Sequence, residues 1–155
     1  MIQALQITPE ILTSNTDNIN FDTVDLRTNT ATCCGWLQYN PGGSDFTIIG
    51  GGLFEISFNA NVTSPTTGPI AIALKSSTGS DYEGTESDTE ITTAGVYENI
   101  SFTKVIRLCN RVNTTISVGS LAAIGSSGTP TTEPVETVVP TVKDAQIIIR
   151  KLSGN

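Results

Sequence analysis

The chain has 155 residues, a net charge of −7 and a charged fraction of only 15%, and this length suits one domain with a single hydrophobic core. Because the acidic balance opposes a phosphate backbone and the eight Lys and Arg residues are scattered, we expect no binding to nucleic acid. Thr, Ser, Asn, Val and Ile dominate, and 14 Gly and 7 Pro interrupt short apolar runs, which favours strands over helices.

Residues 1 to 20 alternate weakly between apolar and polar positions. They are predicted as an extended lead-in with an edge strand, an attachment segment ahead of a domain that spans residues 21 to 155. The first residues have no basic region, long apolar run or small-residue cleavage site, so we expect no signal peptide and synthesis in a cytoplasm. No apolar run approaches the roughly 20 residues of a transmembrane helix, and we expect no membrane partner.

The next part of the chain shows three interruptions. The order of residues 21 to 26 conflicts with an ideal strand and predicts a bulge or turn. A short strand from Cys34 to Tyr39 is followed by Asn-Pro-Gly-Gly at residues 40 to 43, which predicts a turn. Three consecutive glycines at 50 to 52 predict a tight corner or a close backbone approach.

Residues 53 to 62 carry the clearest strand pattern, with apolar side chains at every even position from Phe54 to Val62. One face is therefore expected to join the core, and the other to meet water or a partner. After a Pro- and Gly-containing loop, Ile70, Ile72 and Leu74 repeat the alternation, which favours a hairpin of these two strands.

The second half of the chain alternates strands with polar connections. Residues 76 to 95 are predicted as an exposed acidic connection, and residues 97 to 112 as one long strand or two short ones. Another strand follows around residues 116 to 121, and residues 125 to 141 form a long loop rich in Ser, Thr and Pro. The almost continuously apolar residues 145 to 152 predict a central strand covered on both faces.

No stretch has convincing helical periodicity, and about eight short strands predict an all-β fold. We expect a two-sheet antiparallel β-sandwich with jelly-roll topology, because the Cys and Trp spacing of an immunoglobulin domain is missing. Cys33 and Cys34 are adjacent and Cys109 is distant, which favours three free thiols, while a bridge from Cys109 to one of the pair stays open.

Two segments carry a resemblance to a known family, namely Gly-Gly-Leu-Phe-Glu-Ile-Ser-Phe at residues 51 to 58 and Ala-Gln-Ile-Ile-Ile-Arg-Lys-Leu at residues 145 to 152. Together they resemble the trimeric jelly rolls of the C1q and tumour necrosis factor superfamily, and most closely its bacterial and bacteriophage members. The resemblance implies a homotrimer with long loops at one end. It also implies that Phe54, Ile56, Phe58, Ile147 and Ile149 lie in the trimer or core strands.

The composition argues against an enzyme, and we expect no catalytic residues. The chain has no histidine, which removes the commonest general base and every Ser-His or Cys-His nucleophile pair. Five acids in the connection at residues 76 to 95 are the candidates for a glycosidase pair or a weak calcium site, but their segment has the composition of a solvated loop. They are Asp81, Glu83, Glu86, Asp88 and Glu90. No cofactor is expected beyond a weak divalent cation such as calcium.

Aromatic side chains are the best candidates for contact with a ligand or partner. Trp36 and Tyr39 lie beside the predicted turn and Tyr82 lies on the acidic connection, and each could stack on a sugar ring or pack into the core.

These observations favour a non-catalytic structural protein of a bacteriophage virion, such as a head fibre or capsid decoration, displayed on the virion after cytoplasmic synthesis in the host. Its expected partners are two further copies of itself and capsid or other virion proteins. The alternative is an adhesion module of a phage or a bacterial spore surface that binds a carbohydrate or receptor, such as a host-surface glycan.

Overall fold

A computed structural model describes residues 1–14, 17–27, 35–108, 113–121 and 138–153. Within these ranges the regular structure consists of eleven strands and no helix, which agrees with the predicted all-β class. The strands are β1 (Ile2–Leu5), β2 (Glu10–Ile11), β3 (Thr23–Arg27), β4 (Leu37–Tyr39), β5 (Phe46–Ile48), β6 (Gly52–Thr63), β7 (Gly68–Ser76), β8 (Ser87–Ile91), β9 (Glu98–Leu108), β10 (Thr114–Ser120) and β11 (Thr141–Ser153).

The strands form two antiparallel sheets that enclose one core. The first sheet has the order β3-β1-β11-β6-β9, with β2 also paired to β11. The second sheet has the order β4-β5-β10-β7-β8. Neighbours in each sheet are mostly distant in sequence, as in a jelly roll, so the predicted two-sheet sandwich is confirmed.

The core is built from alternate residues of the long strands. Phe54, Ile56 and Phe58 on β6 and Ile147 and Ile149 on β11 are at most 2% exposed, and cross-strand pairing places Ile147 opposite Phe58 and Ile149 opposite Ile56. These five residues, predicted for the trimer or core strands, therefore belong to the core. The predicted central position of β11 is also confirmed, although only one of its faces is fully buried within the chain.

The first 20 residues differ from the prediction of a lead-in with an edge strand. β1 lies inside the first sheet, paired on one side with β11 and on the other with β3. Ile2, Ala4, Leu12 and Ile19 are buried, with exposures between 0 and 2%. Because these side chains belong to the same core as those of the later strands, the described residues between 1 and 20 are part of the sandwich, and residue 20 is no structural boundary.

The predicted hairpin between residues 53 to 62 and 70 to 74 is wrong. β6 pairs with β9 and β11 in the first sheet, whereas β7 pairs with β8 and β10 in the second. The alternation identified the buried face of each strand correctly. It did not identify the pairing partner, because two successive strands can bury their faces in one core whether they pair in the same sheet or lie in opposite sheets. The connection at residues 64 to 67 crosses from one sheet to the other.

Two other connections are now defined. Residues 76 to 95, predicted as an exposed connection, contain edge strand β8 and the buried Thr85, whose hydroxyl donates to the carbonyl of Tyr82 at 2.7 Å. Of residues 97 to 112, Glu98–Leu108 form one long strand, and residues 109 to 112 lie outside the described residues. Most of the predicted loop at 125 to 141, together with Cys33, Cys34 and Cys109, lies outside the described residues.

The predicted interruptions appear as a bulge, a turn and a close approach. The pairing of β1 with β3 skips Asp25, which locates the bulge, and residues 41 and 42 form a turn. A Cβ atom on Gly52 would lie 2.4 Å from the carbonyl oxygen of Ser153, and its φ is +140°. Only glycine fits there without a shift of the backbone.

Candidate functional site

The candidate site is the outer face of the first sheet, which turns away from the core on β1, β11, β6 and β9. Backbone pairing sets its side chains in rows that run across the strands. Two adjacent rows occupy the middle of the face. The first is Gln3, Ile148, Ser57 and Thr103, and the second is Leu5, Gln146, Asn59 and Ser101.

These two middle rows contain no charged side chain, although the chain as a whole carries a net charge of −7. Ile148 and Leu5 contribute half-buried apolar surface near the centre of the face. Charged side chains are depleted from the cores of protein interfaces, because their hydration is lost on association. A surface of this composition is suited to burial against another protein.

Hydrogen bonds fix the polar side chains of this outer face. Thr103 Oγ1 donates to Ser57 Oγ at 3.0 Å. Asn59 Nδ2 donates to Asn99 Oδ1 at 3.2 Å, and Asn99 Nδ2 donates to the carbonyl of Ala60 at 3.1 Å. Side chains held by such bonds lose little rotamer entropy when a partner covers them.

Charged side chains lie at the two ends of the outer face. At one end Arg150 and Glu55 form an ion pair at 3.4 Å, with 53% and 30% of their side chains exposed. Next to them Val105, opposite Glu55, is 49% exposed. At the other end the Lys143 ammonium lies 3.8 Å from the centre of the exposed Tyr97 ring.

The other end also contains a bulge in β11. Asp144 has a left-handed backbone with φ of 54°, and the pairing with β6 shifts between Lys143 and Gln146. The Asp144 carboxylate accepts a hydrogen bond from Asn61 Nδ2 at 3.2 Å. This end therefore combines one cation, one anion and an exposed aromatic ring, arranged around an uncharged centre.

The three aromatic residues predicted as ligand contacts are separate and partly or fully packed. Trp36 is half-buried, with its ring 5.4 Å from that of Phe54. Tyr39 is 7% exposed and stacks on Phe46 at 4.3 Å, so its ring faces are not available to a sugar. Tyr82 is half-buried and packs against the core, and burial raises the pKa of its hydroxyl.

The acidic residues of the connection at 76 to 95 are spread along β8 and its preceding turn. Within the part of the chain that the structure describes, no three His, Cys, Asp or Glu side chains lie close enough together to hold a metal ion. The geometry of these described residues gives no support to a calcium site.

Sequence reasoning did not identify the uncharged rows as a site. The signal was present in part, because the odd positions Glu55, Ser57 and Asn59 were expected to face water or a partner. The rows themselves depend on the register between strands that are far apart in sequence, and no local pattern reveals that register.

No protein-family model and no curated protein matches the chain. Solved structures do share its fold. The globular domain of zebrafish complement 1qA protein superposes with a TM-score of 0.65 at 12% identity, covering 99% of this chain and 98% of that one. Eiger TNF from S. frugiperda gives 0.63 at 8% identity, covering 100% and 94%. Murine APRIL at pH 8.5 gives 0.52 at 14% identity, covering 92% and 96%.

The similarity to these structures establishes a C1q/TNF-like jelly-roll fold, in agreement with the resemblance of the two sequence segments. Among the described residues, no helix is long and apolar enough to cross a membrane.

Proposed function

We propose that the protein is a non-catalytic structural component that assembles as a homotrimer through the outer face of its first sheet. The single observation that carries this proposal is the pair of uncharged rows centred on Ile148 and Gln146. The trimeric jelly rolls that the sequence resembles support a threefold arrangement. In such a ring each copy covers part of the outer face of the next.

The location of the trimer is a further part of this proposal. The terminal strand, residues 145 to 152, resembles that of bacteriophage members of the superfamily, which supports a head fibre or capsid decoration displayed on the virion after synthesis in the host cytoplasm. Capsid or other virion proteins would then be its attachment partners. Residues 1 to 20 are no longer a candidate for attachment as a separate segment, because Ile2, Ala4, Leu12 and Ile19 belong to the core of the sandwich.

The trimer is tested by two matched threonine variants. Thr103 lies on the outer face and is exposed, and Thr92, also exposed, lies in the loop after β8 of the second sheet. Thr103→Arg places a charge in an uncharged row without disturbing the core, whereas Thr92→Arg adds the same charge elsewhere.

Sedimentation velocity at micromolar concentration is expected to show a trimer for wild type and Thr92→Arg, and a monomer with an unchanged circular dichroism spectrum for Thr103→Arg. A wild-type protein that sediments as a monomer would overturn the proposal. The virion location is tested separately by mass spectrometry of purified particles, where absence of the protein would contradict it.

A further inference from the structure

A polar cleft lies on the outer side of the second sheet, across the sandwich from the outer face of the first. It consists of two adjoining cavities of about 400 and 380 Å³ that share Asp45 in their walls. Thr115 of β10 lines the first cavity and Thr47 of β5 the second, and their hydroxyls are hydrogen bonded at 3.2 Å. Each volume falls in the range of small-molecule sites.

Most of the residues that line this polar cleft carry a side chain that can form hydrogen bonds. The first cavity is lined by the side chains of Asn18, Thr115 and Ser117 among others, and the second by those of Asn20, Gln38 and Thr47. The lining residues include no Val, Leu, Ile, Met or Phe. Tyr39 reaches the second cavity, but its ring stacks on Phe46. An apolar ligand would therefore leave many of these groups without partners.

The charged side chains around the cleft restrict which charge a ligand can carry. Lys75, at 5% exposure, lines the first cavity, and its ammonium donates to the carbonyl of Ser120 at 2.5 Å. Burial lowers the pKa of this lysine, while the Asp81 and Asp17 carboxylates oppose that effect. Asp45 in the wall adds a third carboxylate to the Asp81 and Asp17 carboxylates that act on Lys75. The surplus negative charge disfavours an anionic ligand.

We propose that this polar cleft binds a neutral polyhydroxylated ligand, a saccharide whose hydroxyls both donate and accept hydrogen bonds. Asp45 accepts from ligand hydroxyls in either cavity, because it lies in the wall of both, and the bonded hydroxyls of Thr115 and Thr47 belong one to each cavity. Two adjoining cavities fit two consecutive sugar units. The inference goes beyond self-association. It gives the adhesion alternative a location whose lining includes Tyr39 but neither Trp36 nor Tyr82.

The cleft and the trimer face lie on opposite sides of the sandwich, so each is testable without the other. Because Lys75 is buried, replacing it endangers folding, and the test uses exposed Asp45 instead. Asp45→Asn removes the shared carboxylate with little change in shape. Asp88→Asn is the matched control, since Asp88 is exposed on β8 of the same sheet but does not line the cleft.

The labelled full chain is applied to an array of neutral and sialylated oligosaccharides, and the strongest neutral binder is titrated by calorimetry. We expect saturable binding of a neutral glycan that weakens about tenfold or more in Asp45→Asn and in Thr115→Val, and is unchanged in Asp88→Asn. Sedimentation of each variant as wild type shows that assembly is retained. Binding of sialylated glycans alone, binding of none, or equal affinity in all variants would overturn the proposal.

Discussion

The Tyr39 hydroxyl donates a hydrogen bond to the carbonyl oxygen of Phe21, and thereby ties β4 to the segment that leads into β3. The same carbonyl accepts from the backbone N–H of Gly42 at 2.7 Å. The rings of Tyr39 and Phe21 both pack on the ring of Phe46. Tyr39 stacks on it with ring centres 4.3 Å apart, and Phe21 meets it edge-on with ring centres 5.5 Å apart. This buried arrangement joins residues from both ends of the turn at 40 to 43 to the core.

Tyr39→Phe is expected to lower the free energy of unfolding by about 1 kcal/mol, because a buried hydrogen bond is lost while Gly42 still satisfies the Phe21 carbonyl. Chemical denaturation at fixed protein concentration and neutral pH measures the change. Burial raises the pKa of Tyr39 from 10.0 to about 12.

The folded protein therefore holds the phenolic proton more tightly, and its contribution to stability is complete below pH 10 and lost as the pH rises toward 12. Tyr39→Phe should show a shallower alkaline loss of stability than wild type and retain the part due to Tyr82. Identical alkaline profiles would contradict the burial of the Tyr39 hydroxyl.

Asp22→Asn is expected to destabilise the protein at neutral pH and to converge with wild type in acid. The Asp22 carboxylate accepts hydrogen bonds from the backbone N–H groups of Ile7 at 2.6 Å and Thr8 at 2.7 Å, and these bonds, led by that from Thr8, hold its pKa below the ordinary 3.8. The stability they add is present above that ordinary value and is lost as the pH falls through the lower folded pKa.

Thermal unfolding at pH 7 should therefore show a Tm lower by a few degrees for Asp22→Asn, and the difference should shrink below about pH 4. Asp25→Asn, at an exposed aspartate three residues away, is the control and should change little. A difference that persists unchanged into acid would argue against a charge-dependent bond.

Gly52→Ala is expected to lower the free energy of unfolding more than Gly50→Ala does. Both glycines have positive φ, so alanine at either position is strained by roughly 1 to 3 kcal/mol. A Cβ on Gly50 meets nothing within 4 Å, whereas one on Gly52 would clash with the Ser153 backbone. Denaturant titration should show that Gly52→Ala loses at least about 1 kcal/mol more of the free energy of unfolding than Gly50→Ala does. Equal losses would show that the end of β11 moves aside freely.

The coupling energy between Arg150 and Glu55 tests whether neighbouring copies cover the outer face of the first sheet. A double-mutant cycle with Arg150→Met and Glu55→Gln should give a coupling below about 1 kcal/mol in the monomeric Thr103→Arg background, where water surrounds the pair. In the wild-type trimer, neighbours that exclude water should raise the coupling above about 1 kcal/mol. The same coupling in both backgrounds would place the pair outside the contact between copies.

Local sequence patterns correctly predicted properties that depend on a single strand or turn. The period of two in residues 53 to 62 predicted the buried side chains of β6 because it depends only on the alternation of Cβ atoms. The apolar run at 145 to 152 predicted the central place of β11, and the turn chemistry of residues 40 to 43 predicted a turn.

Local sequence patterns failed to predict contacts between segments that are distant in sequence. Residues 1 to 20 gave only weak alternation, yet β1 enters the sheet because β11 offers it a free edge opposite β6. Lys75 follows apolar Ile72, Ala73 and Leu74 in sequence, and nothing in that order indicates that its ammonium would be buried against Ser120.

By itself the sequence determined that this protein is a strand-built sandwich, which residues of its longest strands are buried, and that histidine chemistry is absent. These properties follow from composition and from the alternation of neighbouring side chains. Only the tertiary structure decided which strands pair and in what register. It therefore also decided the uncharged rows and the polar cleft, because both are assembled across strands whose contacts span most of the chain.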